Sequence, residues 1–353
     1  MDFGTFLLLQ SPRARSDQEI FERGVEIAQT ADRLGFESIW CAEHHFSTYG
    51  YLSRPLMFAT HLATQTEQIR VGSAVIVLPL HHPLIVAEEI ATADLLSGGR
   101  LDVGLGRGYQ TYEFERLGCS LDESRARFEE AVDILLEAFK GDPFSYQGQH
   151  YSFEETKVFP TPVQKPNPPV WVVGQSEESI AAIAKRGFNM VSGGFGVPIE
   201  RLRTFREGFD AMVTSTERKD KIRVSTQRPV YVTYDESELP EVVKQARWNM
   251  RVTLSLRKGL ERVQKGINKV QKGYHCLSEC WKGPRRESAR SRKDTTVRVY
   301  LGRVAANINW LVLFKSSVGQ GFDPLQDRFR NGRKPEQLQV FSRPIRAGQP
   351  RGF

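Results

Sequence analysis

The 353-residue chain is 40% apolar and 26% charged, the composition of a globular domain rather than of a disordered or fibrous one. Its formal charge of +7 is uneven: residues 261–353 carry 20 Lys+Arg against 7 Asp+Glu, and the remainder carries 29 against 35. An acidic body with a basic end is not the footprint of a nucleic-acid-binding domain, and no run approaches the roughly 18 apolar residues of a membrane span. Met1-Asp2-Phe3-Gly4 lacks a basic leader, and Cys41, Cys119, Cys276 and Cys280 are irregularly spaced, so the expectation is a cytoplasmic protein with reduced thiols.

In chain order, short β-rich runs alternate with helical periodicity. Strands are predicted at Phe3–Leu9, Ser38–Ala42, Ile69–Leu78, Leu101–Leu105, Val170–Val173, Met190–Ser192 and Arg223–Thr233. After the first, Ser16 with Glu19 makes a capping box, and Phe21, Val25, Ala28 and Ala31 mark one apolar helical face. A second clear helix spans about 122 to 140 on Phe128, Ala131, Val132, Leu135, Leu136 and Phe139. Residues 141–169, with several prolines, read as a loop inserted at the rim, and 235–273 as a charged, helix-like insertion. This alternation predicts an α/β fold, a parallel TIM (β/α)₈ barrel with insertions. Seven strands are accounted for, and Trp310–Phe314 is the donor of the eighth. The expected division is a barrel domain over 1–260 and a basic, atypical segment over 261–353. From about residue 274 the basic residues, Lys282 to Arg298 among them, follow no amphipathic period. That segment reads either as a functional polybasic tail or as a replaced C-terminus, for instance by a frame disruption near Gly273.

In such a barrel the chemistry sits at the C-terminal ends of the strands. There the sequence places Glu43-His44-His45-Phe46 after the second strand and His81-His82 after the third. Gly104-Leu105-Gly106-Arg107-Gly108 follows the fourth and Gln175-Ser176 the fifth. Glycines allow close backbone approach to a ligand, and the Arg107 guanidinium offers a planar fork to a phosphate, although such glycines are more often plain turn residues. Arg125 falls on the periodic face of Phe128 and Val132, where a cation wants an anion: a ligand phosphate, or a carboxylate such as Glu43. Ser176 reads as a helix N-cap with Ser179 in the first turn, a phosphate site or simply a cap. His44 is the proton-transfer candidate, with a satisfied structural histidine as the alternative. The histidines also raise a metal reading, against which adjacent strand residues point to opposite sides.

Residues 1 to about 234 resemble the bacterial luciferase α-subunit and the wider luciferase-like flavin-dependent monooxygenases. The resemblance is carried by Phe3-Gly4-x-Phe6-Leu7-Leu8, Glu43-His44-His45-Phe46 with Tyr49-Gly50, Val71 to Pro79, Gly104 to Gly108, Ser124-Arg125 and Gln175-Ser176. It implies an FMN enzyme in which His44 serves proton transfer at the flavin C4a and Arg107, Arg125, Ser176 and Ser179 hold the phosphate. Ala74-Val75 would form a non-prolyl cis peptide beneath the ring, with Glu43, Gly106 and Gln175 completing the cofactor set. The implied reaction is monooxygenation of a small organic substrate by O2 through a C4a-hydroperoxyflavin, with reduced FMN from a separate flavin reductase. A homodimer is also implied. F420-dependent hydride transfer on the same fold is the rival, and a non-catalytic flavin-binding protein the alternative of another class. Two departures stand out. Gly106 replaces the Cys of light-emitting luciferases, and the Gly-(Ser/Thr)-Pro-Glu start of the family's last barrel unit is absent.

Overall fold

The computed structural model describes residues 2–10, 15–193, 197–213, 222–233, 236–244, 298–301 and 310–316. The elements are β1 (Asp2–Leu7), α1 (Asp17–Arg33), β2 (Ser38–Cys41), α2 (Pro55–Thr64), β3 (Arg70–Ser73), β4 (Ile76–Val77), α3 (Pro83–Leu96) and β5 (Leu101–Gly106). Then follow α4 (Thr111–Arg116), α5 (Ser124–Lys140), β6 (Phe144–Gln147), β7 (Ser152–Thr156), β8 (Val170–Val173), α6 (Glu177–Arg186), β9 (Asn189–Gly193), α7 (Ile199–Val213) and β10 (Arg223–Thr233). Two further strands, β11 (Arg298–Leu301) and β12 (Trp310–Ser316), come from the basic segment.

Parallel pairing runs from β1 through β2, β3, β5, β8 and β9 to β10. β12 bonds both β1 and β10 and so closes an eight-stranded barrel. The expected eighth strand is thus in place, but it runs antiparallel to both neighbours, which corrects the all-parallel plan. Closure needs only that the free N–H and C=O rows of β1 and β10 find partners, and an antiparallel ladder satisfies them equally well. Met1–Ser317 forms one compact unit, so β11 and β12 belong to the barrel's own unit. Most of the 235–273 insertion and the chain beyond Ser316 lie outside the described residues. Among the described residues no helix is long and apolar enough to cross a membrane.

The expected strand Ile69–Leu78 is split. Between β3 and β4 the Ala74–Val75 peptide is cis, as the resemblance implies. The glycines of β5 accommodate this bend: a Cβ on Gly104 would collide with the Ser73 carbonyl, and one on Gly106 with the Val75 side chain. These glycines are thus required by close approach of the neighbouring chain.

Two apolar layers hold the barrel. Outward-facing residues such as Ile39, Val71, Leu101 and Val103 pack under the helices. Phe6, Leu8, Trp40, Ala42, Tyr49 and Trp171 form a separate cluster. Trp40 and Trp171 meet edge to face at 5.4 Å, and a Cβ on Gly72 would lie 2.7 Å from Trp40. Their indole N–H groups donate to Ser38 and Asp102, both at 2.9 Å, so neither is left unpaired.

Residues 141–169 do not form the expected rim loop. They build the hairpin β6–β7 lying along α5, where Glu130 accepts the backbone N–H groups of Gln149, His150 and Tyr151 at 2.9, 3.0 and 3.2 Å. The hairpin's turn approaches the C-terminal strand ends through Tyr151, whose ring packs on His82.

Candidate active site

Apart from Arg125 in α5, the predicted site residues fall on or just past four consecutive strands of the barrel: β2, β3 with β4, β5 and β8. At a strand spacing of about 4.8 Å this row spans roughly 15 Å. His44 lies past β2 at one end, the Ala74–Val75 bend and Gly106 lie in the middle, and Arg107 follows them. Gln175, Ser176 and Ser179 lie past β8 at the other end.

His44 is nine-tenths buried and its Nδ1 lies 3.0 Å from Glu113 Oε1. The same oxygen accepts the His45 backbone N–H at 3.0 Å and the Tyr112 hydroxyl at 3.1 Å. An oxygen surrounded by donors belongs to an ionised carboxylate, which assigns the proton of neutral His44 to Nδ1 and the lone pair to Nε2. The imidazole is flanked by the rings of Tyr49 and Tyr109, at centroid distances of 4.7 and 6.1 Å. A Cβ on Gly50 would lie 2.9 Å from that of His44, so glycine is required at the wall of this slot. Glu113 and Tyr112 escaped the sequence reading. They sit on a six-residue helix 69 and 68 positions from His44, and their one signal was an acid amid aromatics just after Arg107.

Glu43 is fully enclosed. One carboxylate oxygen meets His45 Nε2 at 3.0 Å and His81 Nε2 at 2.7 Å, and the other accepts the Val77 N–H at 2.9 Å. Burial pushes its pKa up, but the hydrogen bonds with His45, His81 and the Val77 N–H outweigh burial and hold it at about 2. Polar atoms of Glu43, His45 and His81 lie within 4.8 Å of one another, the arrangement behind the metal reading. Arg54 argues against that reading. Its guanidinium, always a donor, bonds His81 Nδ1 at 3.0 Å, which places the His81 proton on Nε2, facing Glu43 rather than an ion. Glu43 is therefore a buried brace between β2, β4 and His81.

At the other end Ser176 caps α6. The Ser179 N–H donates to its hydroxyl at 3.3 Å, and the Ser179 hydroxyl accepts the N–H groups of Ser176 and Gln175 at 3.0 and 3.2 Å. Arg107 is exposed and pairs with no carboxylate among the described residues. Arg125 corrects its expectation: the buried residue of that turn is Ser124, and the Arg125 side chain is 55% exposed. Its partner is Glu178 in the first turn of α6, at 2.5 Å, and not Glu43. The pairing draws the start of α5 onto the start of α6, so Arg125, Ser176 and Ser179 share one corner. Arg107 stands on the adjacent strand end.

The model of the luciferase-like monooxygenase family matches residues 1–299. An uncharacterised protein of Sinorhizobium fredii is 33% identical over 261 residues, 73% of this chain and 74% of its own length. The oxygenase component of a flavin-dependent trigonelline monooxygenase from Acinetobacter baylyi is 28% identical, covering 67% of each chain. The crystal structure of the monooxygenase RslO1 from Streptomyces bottropensis superposes with a TM-score of 0.66 at 25% identity, over 78% of this chain and 89% of that one.

Proposed function

The chain belongs to the luciferase-like monooxygenase family, and from that premise we propose that it uses reduced FMN, delivered by a separate flavin reductase, to transfer one atom of O2 to a small organic substrate. The observation that carries this reading is the polarity of the four-strand row: a buried imidazole held through Nδ1 by a carboxylate at one end and cations with a helix N-terminus at the other. The residues present fit FMN. The α6 N-terminus, Ser176, Ser179, Gln175, Arg107 and Arg125 would hold the phosphate, because free N–H groups, hydroxyls and guanidinium forks all favour a dianion. Arg125 offsets the Glu178 charge, which would otherwise repel it. Bound reduced flavin supplies the electrons and the site of reaction with oxygen.

The chain's own contribution is positioning and proton control. Nε2 of His44 can take a proton and return it, and the Glu113 carboxylate behind the ring stabilises the cation formed meanwhile. The bend at Ala74–Val75 with Gly106 offers the flat part of the row. A reductase partner is supported by the Acinetobacter relative, named as an oxygenase component.

The test is binding of reduced FMN and oxygen uptake by the purified protein. His44→Ala is expected to lower turnover about 10²–10⁴-fold while leaving FMN affinity within about threefold. Unchanged turnover would remove His44 from the reaction. Tight binding of F420 in place of FMN would move the reading to hydride transfer, and flavin binding without oxygen uptake to a non-catalytic protein.

A further inference from the structure

We propose that Tyr112 is a positioning residue that keeps His44 ready to act as a base, by donating its hydroxyl proton to the same Glu113 oxygen that holds the imidazole. Of the three donors on Glu113 Oε1, one is the backbone N–H of His45 and one is His44 itself. The Tyr112 hydroxyl, at 3.1 Å, is the one whose only evident task there is to satisfy the carboxylate.

The consequence follows from coupled titration. His44 and Glu113 accept their next proton as a pair. A donor taken from Oε1 leaves more negative charge uncompensated, which raises the proton affinity of the carboxylate and strengthens its hold on an imidazolium. The hydroxyl therefore lowers the pH at which the pair protonates and keeps Nε2 unprotonated further into the acid range. Tyr112 suits the task. Burial and the Glu113 charge drive its own pKa far above the usual phenol value, while a hydrogen bond with Ser47 acts the other way. It therefore stays a donor throughout. From the solvent side the Arg116 guanidinium lies over its ring at 5.7 Å. The other groups around His44 are the phenols of Tyr49 and Tyr109 and the neighbours Glu43 and His45. Glu43 is committed to its own three donors.

The experiment uses the full chain with ¹⁵N-labelled histidine and no flavin, so it stands apart from the flavin reading. Loss of FMN binding would leave these midpoints untouched, and their failure to move would leave FMN binding intact. Long-range ¹H–¹⁵N correlation spectra report the protonation of both ring nitrogens of His44, identified by their loss in His44→Gln. In the wild type the neutral ring is expected to carry its proton on Nδ1. In Tyr112→Phe the midpoint of the pair is expected to rise by about one pH unit, with circular dichroism unchanged. Ser47→Ala, which weakens the same hydroxyl from its far side, is expected to raise it by less and carries the test if Tyr112→Phe does not fold. A neutral ring protonated on Nε2 in the wild type, or midpoints in the variants equal to or below the wild type's, would overturn the assignment.

Discussion

The two ends of the four-strand row are built on opposite plans. At the histidine end both carboxylates, Glu43 and Glu113, are enclosed. Glu113 takes three donors on one oxygen and Glu43 takes three across two, all supplied by the protein. At the cation end Arg107 is exposed, and Arg125 and Glu178 are 55% and 73% exposed. On the proposed function, the difference separates what folding completes from what a ligand would complete. A group that must accept a proton in a fixed direction is set in advance by buried partners, because reorienting it during reaction would add to the barrier. A group that receives a charged ligand stays accessible and under-coordinated until the ligand arrives.

Damage to the histidine end should therefore appear as lost stability, and the largest effect is expected at Glu43. Glu43→Ala leaves the Val77 N–H and two histidine N–H groups unpaired in a dry site, with an expected loss of about 3–5 kcal/mol in chemical denaturation. The pH dependence has a definite sign. The folded pKa of about 2 lies below the ordinary glutamate value of 4.5, so the unfolded chain binds the proton more readily. The stabilisation is complete above about pH 4.5 and is lost as pH falls toward 2, on the order of 3 kcal/mol in all. Glu43→Gln should flatten the denaturation curve in that window. An unchanged acid limb would show that Glu43 is not the brace of this end.

At the cation end the signature reverses. Arg107→Ala removes an exposed side chain that bonds no carboxylate among the described residues, so stability should stay within about 0.5 kcal/mol. A lost charge-assisted hydrogen bond to phosphate corresponds to about a 10- to 100-fold weaker FMN affinity. Titration of the variant with FMN and with riboflavin, which lacks the phosphate, sharpens the comparison: the variant should bind riboflavin as the wild type does. Equal losses for both ligands would place Arg107 away from the phosphate.

The same contrast explains what could be read before the structure. Local chemistry was legible. Ser16 with Glu19 forms its capping box and Ser176 caps α6, because caps are settled within four residues. The seven parallel strands appear within a few residues of their predicted ends, since apolar, β-branched runs between turn signals mark strands directly. What depended on distant partners was not legible. The alternation of elements carries no information on the direction of β12, which is set by where a remote segment meets the edges of β1 and β10. Helical periodicity put Arg125 on a buried face, yet Ser124 is the buried residue of that turn, and the Arg125 side chain reaches across to Glu178. Glu113 gained meaning only when His44, 69 residues earlier, was placed against it.

The finest test of the contrast is the Arg125–Glu178 pair, where the two plans meet. Both side chains are largely exposed, so solvent screening leaves the ion pair worth about 0–1 kcal/mol, and Glu178→Gln should barely change the denaturation midpoint. Its effect on FMN is less obvious, because Glu178 both aims Arg125 and carries a negative charge beside the proposed phosphate position. Gln retains a carbonyl oxygen able to accept from Arg125 while removing the charge, so repulsion should be the larger loss and affinity should rise about two- to threefold. Affinity should respond more strongly to salt in the variant, since Arg125 then faces the dianion without a competing carboxylate. A fall in affinity with no change in salt dependence would mean that Glu178 acts by aiming its partner, and that this corner, too, is set by folding before any ligand binds.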